Sequence, residues 1–393
     1  MQTNKAVNLI GIVGAGAMGS GIAQIASQAG QDVVLFDLSK EALTTSAAKL
    51  QKVMIRLIEK GKVTSDEAIA IQTRIVRTTK DTSLKDCDLI IEAVVEDLEV
   101  KKRVFKRIEE IVKKEAVIAS NTSSLSITSL ASFCAHPERV IGLHFFNPAP
   151  LMPLVEIIPA LQTNRVIPQQ LTELMSKWGK SPVIAKDTPG FIVNRVARPF
   201  YGEALRMLDE GIADASNIDE AMRASGFRMG PFQLMDLIGH DVNYSVTESV
   251  FKSFYYDPRY MPSITQLKLV EAGWLGRKSG RGFYNYNEEN KEPNASAQLN
   301  PKAQVEISER IISMLINEAA DAVYLGIASA EDVDIAMLKG VNYPKGLLVW
   351  AEELGLQKVV SIIDGLRDTY GETRYRCSPL LRELAAKGGN FHK

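Results

Sequence analysis

Residues 8–37 read "NLIGIVGAGAMGSGIAQIASQAGQDVVLFD" and predict a strand, a helix and a second strand in succession. The apolar run Leu9–Val13 has the length of a buried strand, and a helical stretch follows it through Ala29. A second apolar run then ends at Asp37. The turn before the helix has three glycines in the GxGxxG spacing, at Gly14, Gly16 and Gly19. This order of elements predicts the beginning of a parallel α/β sheet.

Each glycine in that turn has its own physical role when a dinucleotide binds. The first allows a tight turn, the second lets the backbone approach a pyrophosphate, and the third lets the helix pack closely on the strand. The helix N-terminus offers unpaired N–H groups to the phosphates. Asp37 can accept a hydrogen bond from a ribose 2′-hydroxyl but would repel a 2′-phosphate, which favours NAD over NADP. The NAD-binding residues predicted here are Gly14, Gly16, Ala17, Met18, Gly19 and Asp37.

The composition is that of an ordinary globular protein with two or three folded units. The chain has 393 residues, of which 46% are hydrophobic, and a formal net charge of −1. Without a basic excess to neutralise a phosphate backbone, we expect no nucleic-acid partner. No segment reads as a signal peptide or a membrane span, so we expect a cytoplasmic protein with no membrane partner. The three cysteines lack the spacing of a disulfide framework or a zinc site, and no metal is expected.

Further strands are predicted downstream, each followed by polar residues. Residues 89–94 form one such strand, and "EAVIASNTSSLSI" and "RVIGLHFFNP" each contain another. Ligands of an open parallel sheet bind beyond the carboxyl ends of its strands. The polar residues at or just past these ends are Asn121, Ser123, Ser124 and His144. Residues 39–74, by contrast, read as a solvated amphipathic helical hairpin.

The stretch "GLHFFNPAPLMPLVE", residues 142–156, contains one of the four histidines of the chain. His144 and Glu156 each lie six places from Pro150, so a chain reversal there would make them face each other across two antiparallel strands. A carboxylate beside an imidazole fixes its tautomer and stabilises the imidazolium, which suits a general base in alcohol oxidation. A core histidine that has merely found a polar partner is the alternative.

A further candidate lies in residues 186–211. Thr188 suits a helix N-cap and Pro189 the first helical position, which predicts Asn194 in the second turn of a helix. An amide near a helix N-terminus can hold a developing oxyanion without carrying charge. Taken alone, this asparagine is also consistent with a solvated position on a helix.

These motifs together resemble the L-specific 3-hydroxyacyl-CoA dehydrogenase family over nearly the whole chain. They occur in that family's order as "GIVGAGAMGSGIA", "IEAVVEDLEVKK", "SNTSSLSI", "GLHFFNPAPLMPLVEI", "DTPGFIVNR", "GFRMGPFQLMDLIG" and "LGRKSGRGFYNY". The resemblance implies NAD-dependent oxidation of an (S)-3-hydroxyacyl-CoA to the 3-ketoacyl-CoA. His144 matches the family's base and Glu156 its orienting carboxylate. Ser123 and Asn194 match residues that bind the substrate oxygens. Expected dinucleotide contacts are Glu96, Lys101, Asn147 and Lys278, to which the strand-end residue Asn121 is added.

Two other functions are compatible with parts of the same sequence pattern. Short-chain 3-hydroxyacid dehydrogenases resemble the chain in its first half, but they rely on a lysine that "GFIVNRVARPFYGEAL" does not contain. A catalytically silent NAD-binding protein on the same fold would be expected to lose parts of the Ser, His, Glu and Asn set. All four residue types are present at the matching positions here.

The C-terminal third repeats the middle of the chain. "GEALRMLDEGIADASNIDEAM", residues 202–222, aligns without a gap with "NEAADAVYLGIASAEDVDIAM", residues 317–337, at an offset of 115. The alignment pairs Glu203 with Glu318, Gly211 with Gly326 and Asp219 with Asp334. Internal duplication explains this match, and the polar segment 285–301 is predicted to be a linker between the copies.

The predicted architecture is an α/β Rossmann-type NAD-binding domain with a mostly parallel sheet, followed by two tandem all-α domains of the family's C-terminal type. The expected boundaries are 1–187, 188–290 and 291–393. In the second copy Glu309 takes the position of Asn194, so that copy is predicted to lack an active site. Single-copy relatives dimerise through this domain, so we expect the copies to pack as an intramolecular pseudo-dimer. Assembly into a homo-oligomer is left open.

The tandem helical domains, with "DTYGETRYRCSPLL" near the end, most resemble the dehydrogenases of bacterial phenylacetate catabolism. The resemblance implies 3-hydroxyadipyl-CoA, or a short-chain acyl-CoA, as substrate. The adipyl chain ends in a carboxylate, for which a guanidinium is a suitable partner. Arg198 and Arg228 lie near the relevant motifs, although each also fits a surface or structural role.

Overall fold

The computed structural model describes residues 7–287 and 300–392. The chain divides into two compact units, Met1–Thr188 and Pro189–Lys393. The predicted linker falls largely on residues 288–299, which lie outside the described residues.

The first unit is an eight-stranded sheet with flanking helices. The predicted strand Leu9–Val13 is confirmed, and the solvated hairpin at 39–74 is confirmed as two helices. The strands are β1 (Leu9–Val13), β2 (Asp32–Phe36), β3 (Ile75–Thr78), β4 (Leu89–Glu92), β5 (Val117–Ser120), β6 (Val140–Phe145), β7 (Leu154–Pro159) and β8 (Ser181–Ile184). The helices are α1 (Ala17–Gln28), α2 (Lys40–Glu59), α3 (Ser65–Thr73), α4 (Leu98–Ile111), α5 (Ile127–Ala131) and α6 (Ile167–Lys177).

The strand order is β3-β2-β1-β4-β5-β6-β7-β8, and all neighbours are parallel except β6 and β7. The first six strands have the order of a dinucleotide-binding Rossmann sheet, in which the chain changes direction between β1 and β4. Strand side chains such as Ile10, Ile12, Leu89 and Ile91 are fully buried, because helices cover both faces of a parallel sheet. The crevice at the carboxyl ends of β1 and β4 is therefore the expected ligand position.

The predicted end of β4 at Val94 was wrong by two residues. The strand ends at Glu92, whose side chain accepts a hydrogen bond from the Val94 N–H at 2.8 Å. The carboxylate thus takes up a backbone donor that a longer strand would have paired across the sheet.

The second unit is all helical. Its helices are α7 (Val193–Val196), α8 (Arg198–Asp209), α9 (Ala215–Ala224), α10 (Pro231–Ile238), α11 (His240–Ser253), α12 (Ile264–Glu271), α13 (Pro301–Tyr324), α14 (Ala330–Gly340), α15 (Leu347–Leu354), α16 (Leu356–Tyr370) and α17 (Pro379–Lys387). The sequence repeat places α8 to α11 and α13 to α16 in equivalent positions.

Equivalent helices in the two copies are held by the same device. Asp219 in α9 accepts from two backbone N–H groups in the first turn of α10 at 2.8 and 3.0 Å, and Asp334 in α14 does the same for α15 at 2.8 and 3.1 Å. A Cβ at Gly230 or Gly346 would lie within 2.4 Å of that aspartate, so only glycine fits before each capped helix. The duplication read from the sequence is therefore also present in the hydrogen bonds.

Ion pairs join the two copies reciprocally. Arg195 Nε lies 2.5 Å from Glu318 Oε1, and Arg310 Nε, 115 residues after Arg195, lies 3.0 Å from Glu203 Oε2. Both carboxylates are buried. The same carboxylates bond further equivalent residues, Glu318 with Arg259 and Tyr260, and Glu203 with Arg374 and Tyr375. Each copy thus contributes the same residue types to the other, as in a contact with two-fold symmetry.

Candidate active site

The glycine turn after β1 has the geometry that a dinucleotide needs. Gly14 has φ +105°, and a Cβ there would lie 2.6 Å from the carbonyl oxygen of Ala93. A Cβ on Gly19 would lie 1.8 Å from the carbonyl oxygen of Gly14, so only glycine allows α1 to pack this closely. A Cβ on Gly16 would meet no atom within 4 Å, so the surface beside Gly16 has room for a pyrophosphate. Ala17 and Met18 form the first turn of α1, where N–H groups point out of the helix.

Asp37 closes over this turn from the end of β2. Its two carboxylate oxygens accept hydrogen bonds from the backbone N–H groups of Ala15 at 2.7 Å and Ser39 at 2.8 Å. Each oxygen has a second lone pair that a ribose hydroxyl can use. The carboxylate therefore positions the glycine turn and remains suited to a ribose.

A cavity of about 610 Å³ lies beside the turn, within the first unit. It is lined by Gly16 and Ala17, by side chains of α2 that include Thr45 and Lys49, and by Asn147. The structure thus brings Asn147 to the same cavity as the glycine turn, although the two are far apart in the chain.

His144 and Glu156 face each other on β6 and β7, as the position of Pro150 between them predicts. They are paired residues of the antiparallel register, and His144 Nδ1 lies 2.6 Å from Glu156 Oε2. The histidine is 5% exposed and the glutamate is fully buried. An ionised carboxylate can only accept, so in that state of Glu156 the hydrogen of this bond is on Nδ1 and Nε2 is the basic ring nitrogen. The pair has the arrangement of a general base with an orienting carboxylate.

Sequence reasoning missed Glu92, a fully buried carboxylate at the end of β4. Its oxygens accept from Lys101 Nζ at 2.6 Å and from Ser120 Oγ at 2.7 Å. Its backbone carbonyl accepts from the N–H of Asn121 at 2.8 Å, and the Asn121 side chain accepts from the N–H of Phe145 on β6. Glu92 therefore connects the ends of three neighbouring strands. Its "IIEA" context shows only a strand end, because its partners come from distant parts of the chain.

Glu96 organises the loop that carries Ser123. Its Oε1 accepts from Thr122 Oγ1 at 2.6 Å, from the Ser123 N–H at 2.9 Å and from Ser124 Oγ at 3.1 Å. Lys101 Nζ lies 3.3 Å from the other oxygen. Desolvation alone would raise the pKa of the Glu96 carboxyl, but the Lys101 charge and these hydrogen bonds outweigh it and lower the pKa. Glu96 therefore fixes the loop of residues 122–124 by hydrogen bonds, and its ion pair with Lys101 fixes Glu96.

Lys180 fixes the reversal between His144 and Glu156, a role that the sequence did not indicate. Its Nζ donates to the carbonyl oxygens of Ala149 at 2.6 Å and Met152 at 2.8 Å. Burial lowers the pKa of Lys180 to about 8. The proline-rich turn is thereby tied to the strand β8 that follows it in the sheet.

Asn194 and Lys278 lie in the second unit. The prediction that Thr188 begins a helix was wrong, because α7 begins at Val193 and Asn194 is in its first turn. Gly190 and Phe191 have φ values of +73° and +47°, which a right-handed helix excludes. Lys278 Nζ lies 2.5 Å from Asp241 Oδ1, at the exposed start of α11.

No group of three or more metal-ligating side chains occurs among residues 7–287 and 300–392. Burial raises the pKa of the Cys87 and Cys134 thiols to about 12, so neither is a thiolate at neutral pH. Every helix in the described part of the chain is too short or too polar to cross a membrane.

Comparison with known families agrees with this geometry. Residues 9–188 match the model of the 3-hydroxyacyl-CoA dehydrogenase NAD binding domain, and residues 190–286 and 307–393 match that of the 3-hydroxyacyl-CoA dehydrogenase C-terminal domain. The chain belongs to the 3-hydroxyacyl-CoA dehydrogenase family. As a member of this family it is an oxidoreductase whose first unit is the NAD-binding domain, and two separate stretches of its second unit match the C-terminal domain model.

Two kinds of relative in the 3-hydroxyacyl-CoA dehydrogenase family differ in length. The 3-hydroxyadipyl-CoA dehydrogenase of Escherichia coli K12 is 37% identical over 96% of this chain and 98% of its own. A crystal structure of 3-hydroxybutyryl-CoA dehydrogenase from Escherichia coli K12 covers 98% of this chain and 99% of its own, with 36% identity and a TM-score of 0.93. The (S)-3-hydroxybutyryl-CoA dehydrogenase structure from Ralstonia eutropha, 41% identical, covers 72% of this chain and all of its own, with a TM-score of 0.70. Relatives of the second kind therefore match about seven tenths of this chain over nearly their whole own length.

Proposed function

We propose that the protein oxidises the hydroxyl group of an (S)-3-hydroxyacyl-CoA to a ketone, with His144 as the general base. The observation that carries this proposal is the buried His144–Glu156 pair at the carboxyl edge of the sheet that also bears the glycine turn. Bound NAD would supply the hydride acceptor. The residues that would hold it are Gly14, Gly16, Ala17, Met18, Gly19, Asp37, Glu96, Lys101, Asn121, Asn147 and Lys278.

In this mechanism His144 Nε2 takes the hydroxyl proton while the hydrogen on C3 leaves as hydride. Bound NAD would accept the hydride from C3, and the electron pair of the broken O–H bond would form the carbonyl bond, so the products would be the ketone, NADH and one proton. Glu156 stabilises the imidazolium through the 2.6 Å hydrogen bond to Nδ1. Ser123 and Asn194 would hold the substrate oxygen as charge develops on it.

The test is reduction of NAD by (S)-3-hydroxybutyryl-CoA, with the (R) enantiomer and free 3-hydroxybutyrate as controls. We expect turnover of the (S)-CoA ester only, and little activity when NADP replaces NAD, because Asp37 repels its 2′-phosphate. Equal turnover of the free acid would instead favour a 3-hydroxyacid dehydrogenase. No turnover of any acyl-CoA would favour a silent NAD-binding protein.

We further propose three domains, 1–187, 188–290 and 291–393, in which the two helical domains form an intramolecular pseudo-dimer. The reciprocal pairs of Arg195 with Glu318 and Arg310 with Glu203 support this proposal. Truncation after residue 287 would expose the face of the first copy that these residues cover. Light scattering should then show a dimer or aggregate, whereas a well-behaved monomer would contradict the proposal.

The substrate and the compartment are also proposed. The name of one full-length Escherichia coli relative favours 3-hydroxyadipyl-CoA, whereas the names of the full-length Escherichia coli structure and of the shorter relatives favour 3-hydroxybutyryl-CoA. Three unpaired cysteines, Cys87, Cys134 and Cys377, support a reducing cytoplasm. Cell fractionation followed by immunoblotting would test this location.

A further inference from the structure

Arg198, the first residue of α8, differs from the other buried arginines of the described residues. Each of the others has a carboxylate within 4.0 Å; they are Arg139, Arg195, Arg259, Arg310 and Arg374. Arg198 is only 7% exposed and has no such partner within the described parts of the chain. Its charge is therefore buried without compensation from the protein, which costs free energy.

The contacts that Arg198 does make leave part of the guanidinium unsatisfied. One Nη1 hydrogen bond goes to Thr247 Oγ1 at 3.0 Å, and the group lies over the ring of Tyr201 at 5.0 Å. The Nε–H has no acceptor among the described residues. Burial lowers the pKa of Arg198. Burial also acts to lower the pKa of Arg195 and Arg259, but nearby carboxylates outweigh it and the pKa of each is raised. A carboxylate is thus the group that this guanidinium lacks.

A second buried polar group without a partner is contributed by the other copy. The Tyr343 hydroxyl has no hydrogen-bond partner among the described residues, and its side chain is 5% exposed. Its ring lies 5.8 Å from that of Phe200, two residues from Arg198, and the two groups interact electrostatically. Asn342, just before it, has φ +54°, an uncommon backbone conformation that places this tyrosine. A guanidinium and a phenol together can donate to both oxygens of a carboxylate.

The spacing between Arg198 and Asn194 can be compared with the distance from C3 to the terminal carboxyl group of a substrate. The backbone is helical from Val193 through Asp209, with Ala197 also in the right-handed region, so residues four apart lie on one side and about 6 Å along the axis. In a six-carbon dicarboxylic acyl chain, C3 and the terminal carboxyl carbon are three carbon–carbon bonds apart, about 4 Å when extended. A guanidinium one helical turn from the group that holds the C3 oxygen can therefore reach the distal carboxylate.

We propose that Arg198, with the Tyr343 hydroxyl, is the receptor for the distal carboxylate of a dicarboxylic 3-hydroxyacyl-CoA and determines substrate specificity. This inference rests on the proposed function, since it takes Asn194 to hold the substrate oxygen. It also gives the repeated domain a function beyond packing, because Tyr343 belongs to the second copy.

The test compares 3-hydroxyadipyl-CoA with 3-hydroxyhexanoyl-CoA, which has the same chain length but a methyl end. We expect Arg198→Met to lower kcat/KM for the adipyl substrate about 100-fold and that for the hexanoyl substrate less than threefold. Arg198→Lys should retain part of the preference, because it keeps the charge but loses the planar fork. Tyr343→Phe should lower the adipyl-to-hexanoyl ratio about tenfold, and the exposed Tyr324→Phe should leave it unchanged.

The proposal is overturned if Arg198→Met and Tyr343→Phe lower both substrates by the same factor, or if the wild type prefers the hexanoyl substrate. If Arg198→Met does not fold, as thermal unfolding would show, the ratio for Tyr343→Phe decides. If the wild type reduces NAD with neither substrate, the proposed function fails. Turnover of the hexanoyl substrate with no adipyl preference refutes only the carboxylate receptor.

Discussion

Glu318 offers the sharpest test of the buried network between the two copies. It is fully buried and accepts from Arg195, Arg259 and Tyr260. Glu318→Gln leaves Arg259 paired with Asp321 but leaves Arg195 with no carboxylate within 4.0 Å in the described chain. Breaking a buried pair in this way costs about 3–5 kcal/mol, because a desolvated charge loses its compensation.

The matched variant is Glu203→Gln, the equivalent residue of the first copy. Its removal leaves Arg310 with Glu210 at 3.1 Å and Arg374 with Glu372 at 3.4 Å. Since neither arginine is left alone, we expect a smaller loss, about 2 kcal/mol, near the value of one hydrogen bond to a charged group. Glu318→Gln therefore measures the cost of an uncompensated buried charge, whereas Glu203→Gln measures only the loss of a contact.

Hydrogen–deuterium exchange by mass spectrometry measures both effects locally, in peptides from α8 and α13. A loss of 3–5 kcal/mol corresponds to a rise in exchange of about 140- to 3700-fold, at tenfold per 1.4 kcal/mol. Peptides of β1 in the first unit serve as the internal control. A Glu318→Gln effect below about 1 kcal/mol, or one no larger than that of Glu203→Gln, would show that Glu318 does not compensate the buried charge of Arg195.

Three further predictions concern the first unit. Gly16→Ala should leave the thermal stability of the cofactor-free protein unchanged, because the added Cβ would contact no protein atom within 4 Å. It should weaken NADH binding, measured by fluorescence, because the Cβ would occupy space that a bound pyrophosphate needs. A lower thermal stability would contradict this. Gly19→Ala should lower stability by about 3 kcal/mol as well as NADH binding, since its Cβ would lie 1.8 Å from a backbone oxygen; a normal Tm would be inconsistent with this packing. Because the pKa of Glu96 is lowered in the folded protein, its carboxylate stabilises the fold above the unfolded pKa of 4.5, and this stabilisation is lost as the pH falls through the folded pKa. Glu96→Gln should therefore make Tm depend less steeply on pH in the acid range, and an unchanged dependence would contradict this.

The parts of the fold that the sequence predicted depend on local patterns. The glycine spacing and two apolar runs define β1, α1 and β2, because each residue acts on its immediate neighbours. The pairing of His144 with Glu156 was also predictable, since equal distance from Pro150 fixes the register of a reversal.

The parts that the sequence did not predict depend on distant contacts or on backbone angles. Glu92 bonds Ser120 across 28 positions, and Lys180 reaches Ala149 across 31, so neither role is visible in a local window. The start of α7 was misplaced because Phe191 has a positive φ that its residue type does not indicate. The duplication showed that Glu203 and Glu318 are equivalent but not that each receives an arginine from the other copy.

In the proposed reaction His144, oriented by Glu156, transfers the proton. Its most direct test is NADH oxidation with acetoacetyl-CoA at neutral pH, with His144→Gln compared against the exposed His136→Gln in the same unit. If His144 is the base, His144→Gln lowers kcat by about 10²- to 10⁴-fold without loss of NADH binding, and His136→Gln has wild-type kcat. Undiminished turnover in His144→Gln would contradict it.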